Sequence, residues 1–274
     1  MKKRSMILAA AMMLSVSLVT ACGGAGAAKS GATTGDGSLD RVKKAGKLEV
    51  AIDATYPPDE FVDKDGKTPI GFDIDYAKAL AQKMGLQADF QIVDWDGIIA
   101  GLKGKRYDVI ISSMNITPER QKEVNFVQYT QMGQIFVSRP GITINGPQDF
   151  AGKTVAVQED TTSDSYVEDL KSNKGVAIKD IVTYKTFADA FLALKNKRSE
   201  ALVVDEPVGL YYAKLDPASF QVDGKALDTE PVGIAIRKED TTLTEAIQKA
   251  VTDLQNDGTY TKISTQRFGH ELGK

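Results

Sequence analysis

One cysteine, one histidine and one tryptophan occur among the 274 residues: Cys22, His270 and Trp95. With Cys22 near one end and the histidine near the other, the usual nucleophilic triads and zinc sites lack their parts. Neither a catalytic residue set nor a metal or other cofactor is expected, although carboxylate chemistry is not excluded by composition. Positive charge is also scarce, with 34 Lys and Arg against 37 Asp and Glu. No basic stripe emerges, so nucleic acid is not an expected partner. The chain shows no internal repeat. Its longest apolar run, from Met6 to about Val19, is too short to span a bilayer comfortably.

Lys2, Lys3 and Arg4 precede that run, and Val19-Thr20-Ala21-Cys22 follows its end. A basic start, a short apolar stretch and small residues before a cut describe a secretory signal peptide over residues 1–21. The pattern resembles a bacterial lipoprotein signal, with Val19 where leucine is usual. That resemblance implies acyl chains (palmitate or similar) on Cys22 and a lipid anchor on the extracytoplasmic face of the cell membrane. Cleavage would remove three basic residues, lowering 34 to 31 against 37 acids, a net charge of about −6. Residues 22–37 are almost entirely Gly, Ala, Ser and Thr and read as a flexible tether. The remaining ~235 residues suffice for one large domain or two modest lobes.

From Lys47 onward, strands and helices alternate. Lys47–Ile52 reads as a strand ending at Asp53-Ala54-Thr55-Tyr56-Pro57-Pro58, where the prolines place Tyr56 in an extended, exposed loop. Asp65-Gly66 marks a hairpin-like turn. Asp73 reads as the cap of a helix with Ile74, Ala77, Leu80 and Met84 on one face. A strand over Asp89–Val93, then Trp95, and a short helix at Ile98–Leu102 complete a βαβ series. A second series follows Pro140: strands at 154–157, 180–184 and 201–204, with helices between them. Strands are expected at Gln134–Ser138 and Gly233–Ile236. The capping box Thr242-Leu243-Thr244-Glu245 opens a long helix, and a shorter one covers 259–268. Two consecutive α/β series suggest two lobes with a cleft between them.

The stretch Asp108–Arg120, DVIISSMNITPER, is the most informative. A buried strand ends in hydroxyl residues, exposing Ser112, Ser113 and Asn115. Thr117 is a good N-cap, Pro118 suits the first helical position, and Arg120 stands at the helix start. A guanidinium fork with neutral donors beside it suits bidentate binding of a carboxylate. The plainer alternative is a solvated surface arginine. Its setting favours the socket, because ligands in open α/β sheets sit beyond the carboxyl ends of the strands. Asp53, Tyr56, Trp95, Ser112, Ser113, Gln158, Thr161, Thr162 and Asp205 all follow expected strand ends. Trp95 also reads as core, Asp205 as a helix cap before Glu206-Pro207, and Thr161 and Thr162 as a cap compatible with ligand binding.

Four stretches together resemble the bacterial extracellular solute-binding proteins of family 3: DATYPP, GFDIDYAKALAQKMG, the WDGIIAGL to TPER block, and VGIAIRKEDTTLTEAIQKAVTDLQNDGTYTKI. The resemblance covers roughly residues 40–268. It implies an α/β fold of the two-lobe periplasmic-binding-protein-like kind (type II), with lobes joined by two hinge strands. Lobe 1 would take 38–133 plus 235–274 and lobe 2 would take 134–234. The implied role is capture of a free amino acid and delivery to an ABC transporter permease in the membrane, by a monomer that closes on its ligand. Arg120 would clamp the α-carboxylate with Ser113 and backbone N–H groups near Asn115 and Thr162. Asp205 would take the α-ammonium, and Tyr56 and Trp95 would sandwich the side chain.

Two departures from the family bear on specificity. Asp59 stands where an aromatic is usual, and Asp160 where glycine is common. With Asp53 they would suit a basic side chain such as lysine, arginine or ornithine. If they face solvent, a neutral ligand such as glutamine or cystine is expected instead. The same fold is known to carry cyclohexadienyl dehydratase activity. Glu206, Glu159 or Asp160 are the nominal acids for that reaction, and no motif marks any of them.

Overall fold

The structure, a computed structural model, describes residues 35–273. The expected signal peptide, Cys22 and most of the expected tether lie outside the described residues. Asp36, at the end of that tether, is fastened to the fold. Its carboxylate accepts from Ser38 N at 2.8 Å and from Thr242 N at 3.0 Å.

The first lobe opens with α1 (Ser38–Ala45) and β1 (Lys47–Ile52). A small antiparallel sheet follows, made of β2 (Thr55–Tyr56), β3 (Glu60–Val62) and β4 (Pro69–Ile70). Next come α2 (Phe72–Lys83), β5 (Gln87–Ile92), α3 (Ile98–Lys103), β6 (Val109–Ile110) and α4 (Pro118–Glu123). The long β7 (Asn125–Ser138) carries the chain into the second lobe. That lobe holds β8 (Thr154–Gln158), α5 (Thr162–Ser172), β9 (Asp180–Tyr184), α6 (Phe187–Lys195), β10 (Ala201–Asp205), α7 (Glu206–Leu215) and β11 (Gln221–Asp223). Finally β12 (Thr229–Ile236) returns to the first lobe, which α8 (Thr241–Asn256) and α9 (Thr259–Phe268) complete. No helix among the described residues is long and apolar enough to cross a membrane.

The strands form one path in the order β5-β1-β6-β12-β7-β10-β8-β9, with β11 also on β7. As the alternation predicts, β1 runs parallel to β5 and β6, and β8 runs parallel to β9 and β10. Strand β7 belongs to both lobes. Its residues Asn125–Gly133 pair with β12, and Gln134–Ser138 pair with β10. The first crossing therefore falls between Gly133 and Gln134. At the return crossing Leu227 N donates to Gln134 O at 2.7 Å, and Thr229 already pairs with Gly133. The second crossing thus precedes Thr229, earlier than the expected boundary at 235. Pro231 interrupts the strand pattern in the sequence, yet it pairs opposite Gln131, and its carbonyl accepts from Ile116 N at 2.8 Å.

Helices cover both faces of each half-sheet, so the strands carry near-continuous apolar runs. In the first lobe α2, α8 and α9 pack Phe72, Tyr76, Leu80, Ile247 and Tyr260 on one face, while Ile98, Leu102 and Tyr107 cover the other. In the second, Phe187, Phe191 and Val208 pack one face, and Val167, Leu170 and Phe150 the other.

Two caps differ from expectation. Asp73 is not the cap of α2, because the loop after β2 supplies capping carbonyls: Phe72 N donates to Pro58 O at 3.1 Å and Asp73 N to Asp59 O at 2.9 Å. That leaves the fully buried Asp73 carboxylate free to point inward. Gly71 permits this close approach: it has φ 134, and a Cβ there would lie 2.1 Å from Asp59 O. The capping box at 242–245 does not form either. Asp36 takes that role, accepting from Thr242 N and from the hydroxyls of Thr241 and Thr242 at 2.5 and 2.7 Å.

Candidate functional site

Between the lobes lies a small cavity lined mostly by polar side chains. Its wall is made by the ends of β1, β6, β8 and β10, as the switch-point rule for α/β sheets requires. Ten of the twelve expected ligand-binding residues line it: Asp53, Tyr56, Trp95, Ser112, Ser113, Asn115, Gln158, Thr161, Thr162 and Asp205. Among the described residues, no lysine or arginine lines it.

On the first lobe, Ser112 Oγ accepts from Asp53 N at 2.9 Å and donates to Glu60 Oε1 at 2.8 Å. Ser113 has φ 44, a left-handed conformation that points its N–H at Asp73 Oδ2, 2.7 Å away. Asn115 accepts from Thr162 Oγ1 at 3.2 Å through Oδ1, and its buried Nδ2 has no hydrogen-bond partner. A buried, unpaired donor on a cavity wall is a place for a ligand acceptor.

On the second lobe, Thr161 is the N-cap of α5, accepting from Asp164 N at 3.1 Å. The N–H groups of Thr162 and Ser163, in the first turn, have no carbonyl one turn back to meet and favour an anion. Gln158 Nε2 crosses to Asp53 Oδ2 at 2.9 Å. Asp205 is 4% exposed and, unlike a capping residue, makes no side-chain bond to its helix. Burial pushes its pKa up to about 7, against the Tyr56 hydroxyl bond that favours the carboxylate.

Tyr56 corrects an expectation. It is not in an exposed loop but buried, packed on Phe187 of the second lobe with ring centroids 5.0 Å apart. Its hydroxyl lies 3.4 Å from Asp205 N. The hydrophobic gain from a buried ring outweighs the extended bias of the following prolines. Trp95 is half-buried, packed on the edge of the first lobe's core, and donates from its indole to Asp160 O at 3.2 Å.

The other two expected residues lie elsewhere. Arg120 stands at the rim, in an adjoining hollow with Trp95, Met114 and Asp160. Its guanidinium donates to Asn115 O at 2.9 Å and Asp160 O at 3.0 Å, and sits 5.3 Å from the Trp95 ring. Those carbonyls take two of its five donors. Asp160 has φ 60, which explains why glycine suits this position and presents its carbonyl to both Arg120 and Trp95. Asp59 is 0% exposed and behind the wall, with neither carboxyl oxygen meeting a donor in hydrogen-bonding geometry. Burial, reinforced by Asp73 and Asp205, holds its pKa well above the usual carboxylate range, and its carboxyl does not face the cleft.

Glu60, Ser163 and Phe187 line the cavity unforeseen. The Glu60-Phe61 pair reads as ordinary strand sequence, and only its place two residues beyond the Pro57-Pro58 pair hinted that the chain turns back to the cleft. Among the nominal dehydratase acids, Glu159 pairs with Lys185 at 2.6 Å and Glu206 and Asp160 do not line the cavity. No group of residues able to hold a metal ion occurs among the described residues.

Two α/β lobes joined by the continuous strand β7 and by the segment between β11 and β12, with a polar cavity between them, define a bilobal solute-binding protein. The chain belongs to the bacterial extracellular solute-binding proteins, family 3, whose family model matches residues 48–270. It is 34% identical over 243 residues to the L-cystine-binding protein TcyJ of Escherichia coli (strain K12), covering 87% of this chain and 89% of that protein. The arginine-binding extracellular protein ArtP of Bacillus subtilis (strain 168) is 31% identical over 275 residues, 99% of this chain and 100% of that one. The crystal structure of the P235GK mutant of ArgBP from T. maritima superposes with a TM-score of 0.78 at 38% identity, covering 85% of this chain and all of that one.

Proposed function

We propose that the protein captures a basic L-amino acid outside the cytoplasm and hands it to an ABC importer in the membrane, closing its lobes around the ligand. The observation that carries this reading is the cavity wall: it presents Asp53, Glu60 and Asp205 without a lysine or arginine. A zwitterion needs a fixed anion for its ammonium and donors for its carboxylate. Asp205 supplies the first. Arg120, the Asn115 amide and the first N–H groups of α5 supply the second, from both lobes, so that closure and occupancy are tied together. The remaining acids favour a cationic side chain between Tyr56 and Trp95. Among the relatives, the names of the arginine binders agree with this class of ligand and that of the cystine binder does not.

Lipid anchoring through Cys22, supported by the Val19–Cys22 pattern, would keep the monomer near its permease.

A thermal-shift screen against the twenty amino acids plus ornithine and cystine tests this reading. A ligand at a hundred times its dissociation constant adds ~2.7 kcal/mol and raises Tm by several degrees. Shifts with arginine, lysine or ornithine are expected, and shifts confined to glutamine or cystine would overturn basic selection. Arg120→Ala is expected to weaken binding by about 2–3 kcal/mol in calorimetry, and unchanged affinity would remove it as a carboxylate clamp. Buried acids with raised pKa values are also what a general acid requires, so a dehydratase assay accompanies the screen, with no turnover expected.

A further inference from the structure

Glu60 is 1% exposed, lines the cavity and rests on a cluster of acids and hydroxyls. Ser112 Oγ donates to its Oε1 at 2.8 Å, and Ser113 Oγ lies 3.4 Å from its Oε2. Behind it, Asp73 accepts from Tyr129 OH at 2.6 Å, Ser113 N at 2.7 Å and Ser113 Oγ at 3.1 Å. Three converging donors favour the ionised form of Asp73, against the burial that raises its pKa. Asp59, whose carboxyl oxygens meet no donor in hydrogen-bonding geometry, lacks that support. The groups facing Glu60 are Tyr56 from β2, Asp59 from the following loop, Asp73 from α2, Ser112 and Ser113 after β6, and Tyr129 from β7. All are acids or hydroxyls.

Burial and the negative charge of Asp73 both oppose a second charge here, and they hold the Glu60 carboxyl well above its usual range. A guanidinium or ammonium seated against Glu60 supplies the counter-charge this pocket lacks.

We propose that Glu60 is a neutral carboxylic acid in the free protein and loses its proton to solvent when a basic side chain seats against it, coupling ligand capture to proton release. The O–H bond of Glu60 breaks, its electron pair stays on the carboxylate that pairs with the ligand cation, and the buffer takes the proton. This inference rests on the basic-amino-acid reading of the same cavity. Affinity for arginine then rises with pH, by up to about tenfold per unit, between the pKa values of Glu60 with and without ligand.

The test is calorimetric titration of the wild-type protein with arginine near pH 8, in Tris and in phosphate, whose heats of ionisation differ. Near that pH Asp205, with a pKa of about 7, is already mostly ionised and contributes little. Proton release on arginine binding is expected, and a binding heat independent of buffer overturns the coupling while leaving the functional reading intact. No binding of arginine or lysine overturns the reading itself, and the coupling with it. Glu60→Gln, checked for folding by its melting curve, is expected to bind arginine more weakly, without proton release and with pH-independent affinity in this range. Undiminished release in that variant assigns the proton elsewhere and overturns the role of Glu60.

Discussion

Asp205 works against the stability of the fold it belongs to. Its carboxyl is buried, and its pKa of about 7 lies above the ordinary 3.8. An acid with a raised folded-state pKa is fully accommodated below the unfolded value and destabilises increasingly as pH rises towards the folded one. Wild type and Asp205→Asn are therefore expected to melt together near pH 4. Near pH 8 the variant gains roughly 4 kcal/mol, or about 8–16 °C in Tm. The same variant should lose at least about tenfold in amino-acid affinity, because a neutral amide cannot balance an ammonium. Melting curves at the two pH values and one titration check all three outcomes. A variant no more stable than wild type at the higher pH would mean that the carboxylate is comfortably solvated.

At the scale of elements, α8 takes its cap from Asp36, a residue more than two hundred positions earlier. Hydrogen bonds from Ser38, Thr241 and Thr242 depress the Asp36 pKa far below the usual range. A lowered folded-state pKa contributes stability above the unfolded value that is lost as pH falls. Asp36→Ala is expected to lower Tm at neutral pH, with the difference from wild type shrinking as the pH drops below about 4. An unchanged Tm at neutral pH would show that Asp36 only decorates the helix start. This cap also marks where sequence reading ended. The parallel strands, their helices and the residues at strand ends were legible, because period and punctuation are local signals. What escaped depended on distant partners. Strand β7 was foreseen only at Gln134–Ser138, since its first half owes its extended form to pairing with β12. Asp73 looked like a cap because the carbonyls that cap α2 come from another loop. Asp59 looked like a cleft charge because nothing local reveals that the wall of the cavity passes in front of it. Glu60 was missed for the converse reason.

Across the whole molecule, the lobes are held together at the mouth by Arg120, Trp95 and Gln158, and by Lys185. The Lys185 ammonium bridges Asp96 of the first lobe at 2.5 Å and Glu159 of its own lobe at 2.6 Å. Lys185 does not itself line the cavity, although its carbonyl accepts from the lining residue Gln158 at 2.8 Å. Lys185→Ala is therefore expected to weaken ligand binding only about two- to fivefold, through faster release, with the effect fading at high salt. Stopped-flow release rates at low and high ionic strength check this. An effect that persists in high salt would show that Lys185 acts by something other than charge.

The peptide link from Gly133 to Gln134 and the bond from Leu227 N to Gln134 O place the exit and the re-entry of the second lobe side by side. In engineering terms residues 134–227 are a cassette: a single contiguous insert whose two ends meet at one point of the host. Exchanging that cassette for its counterpart from a relative would change half of the ligand wall, including Gln158, Thr162 and Asp205, in one cut. The first lobe's sheet would keep its order, and Arg120 and Glu60 would stay where they are.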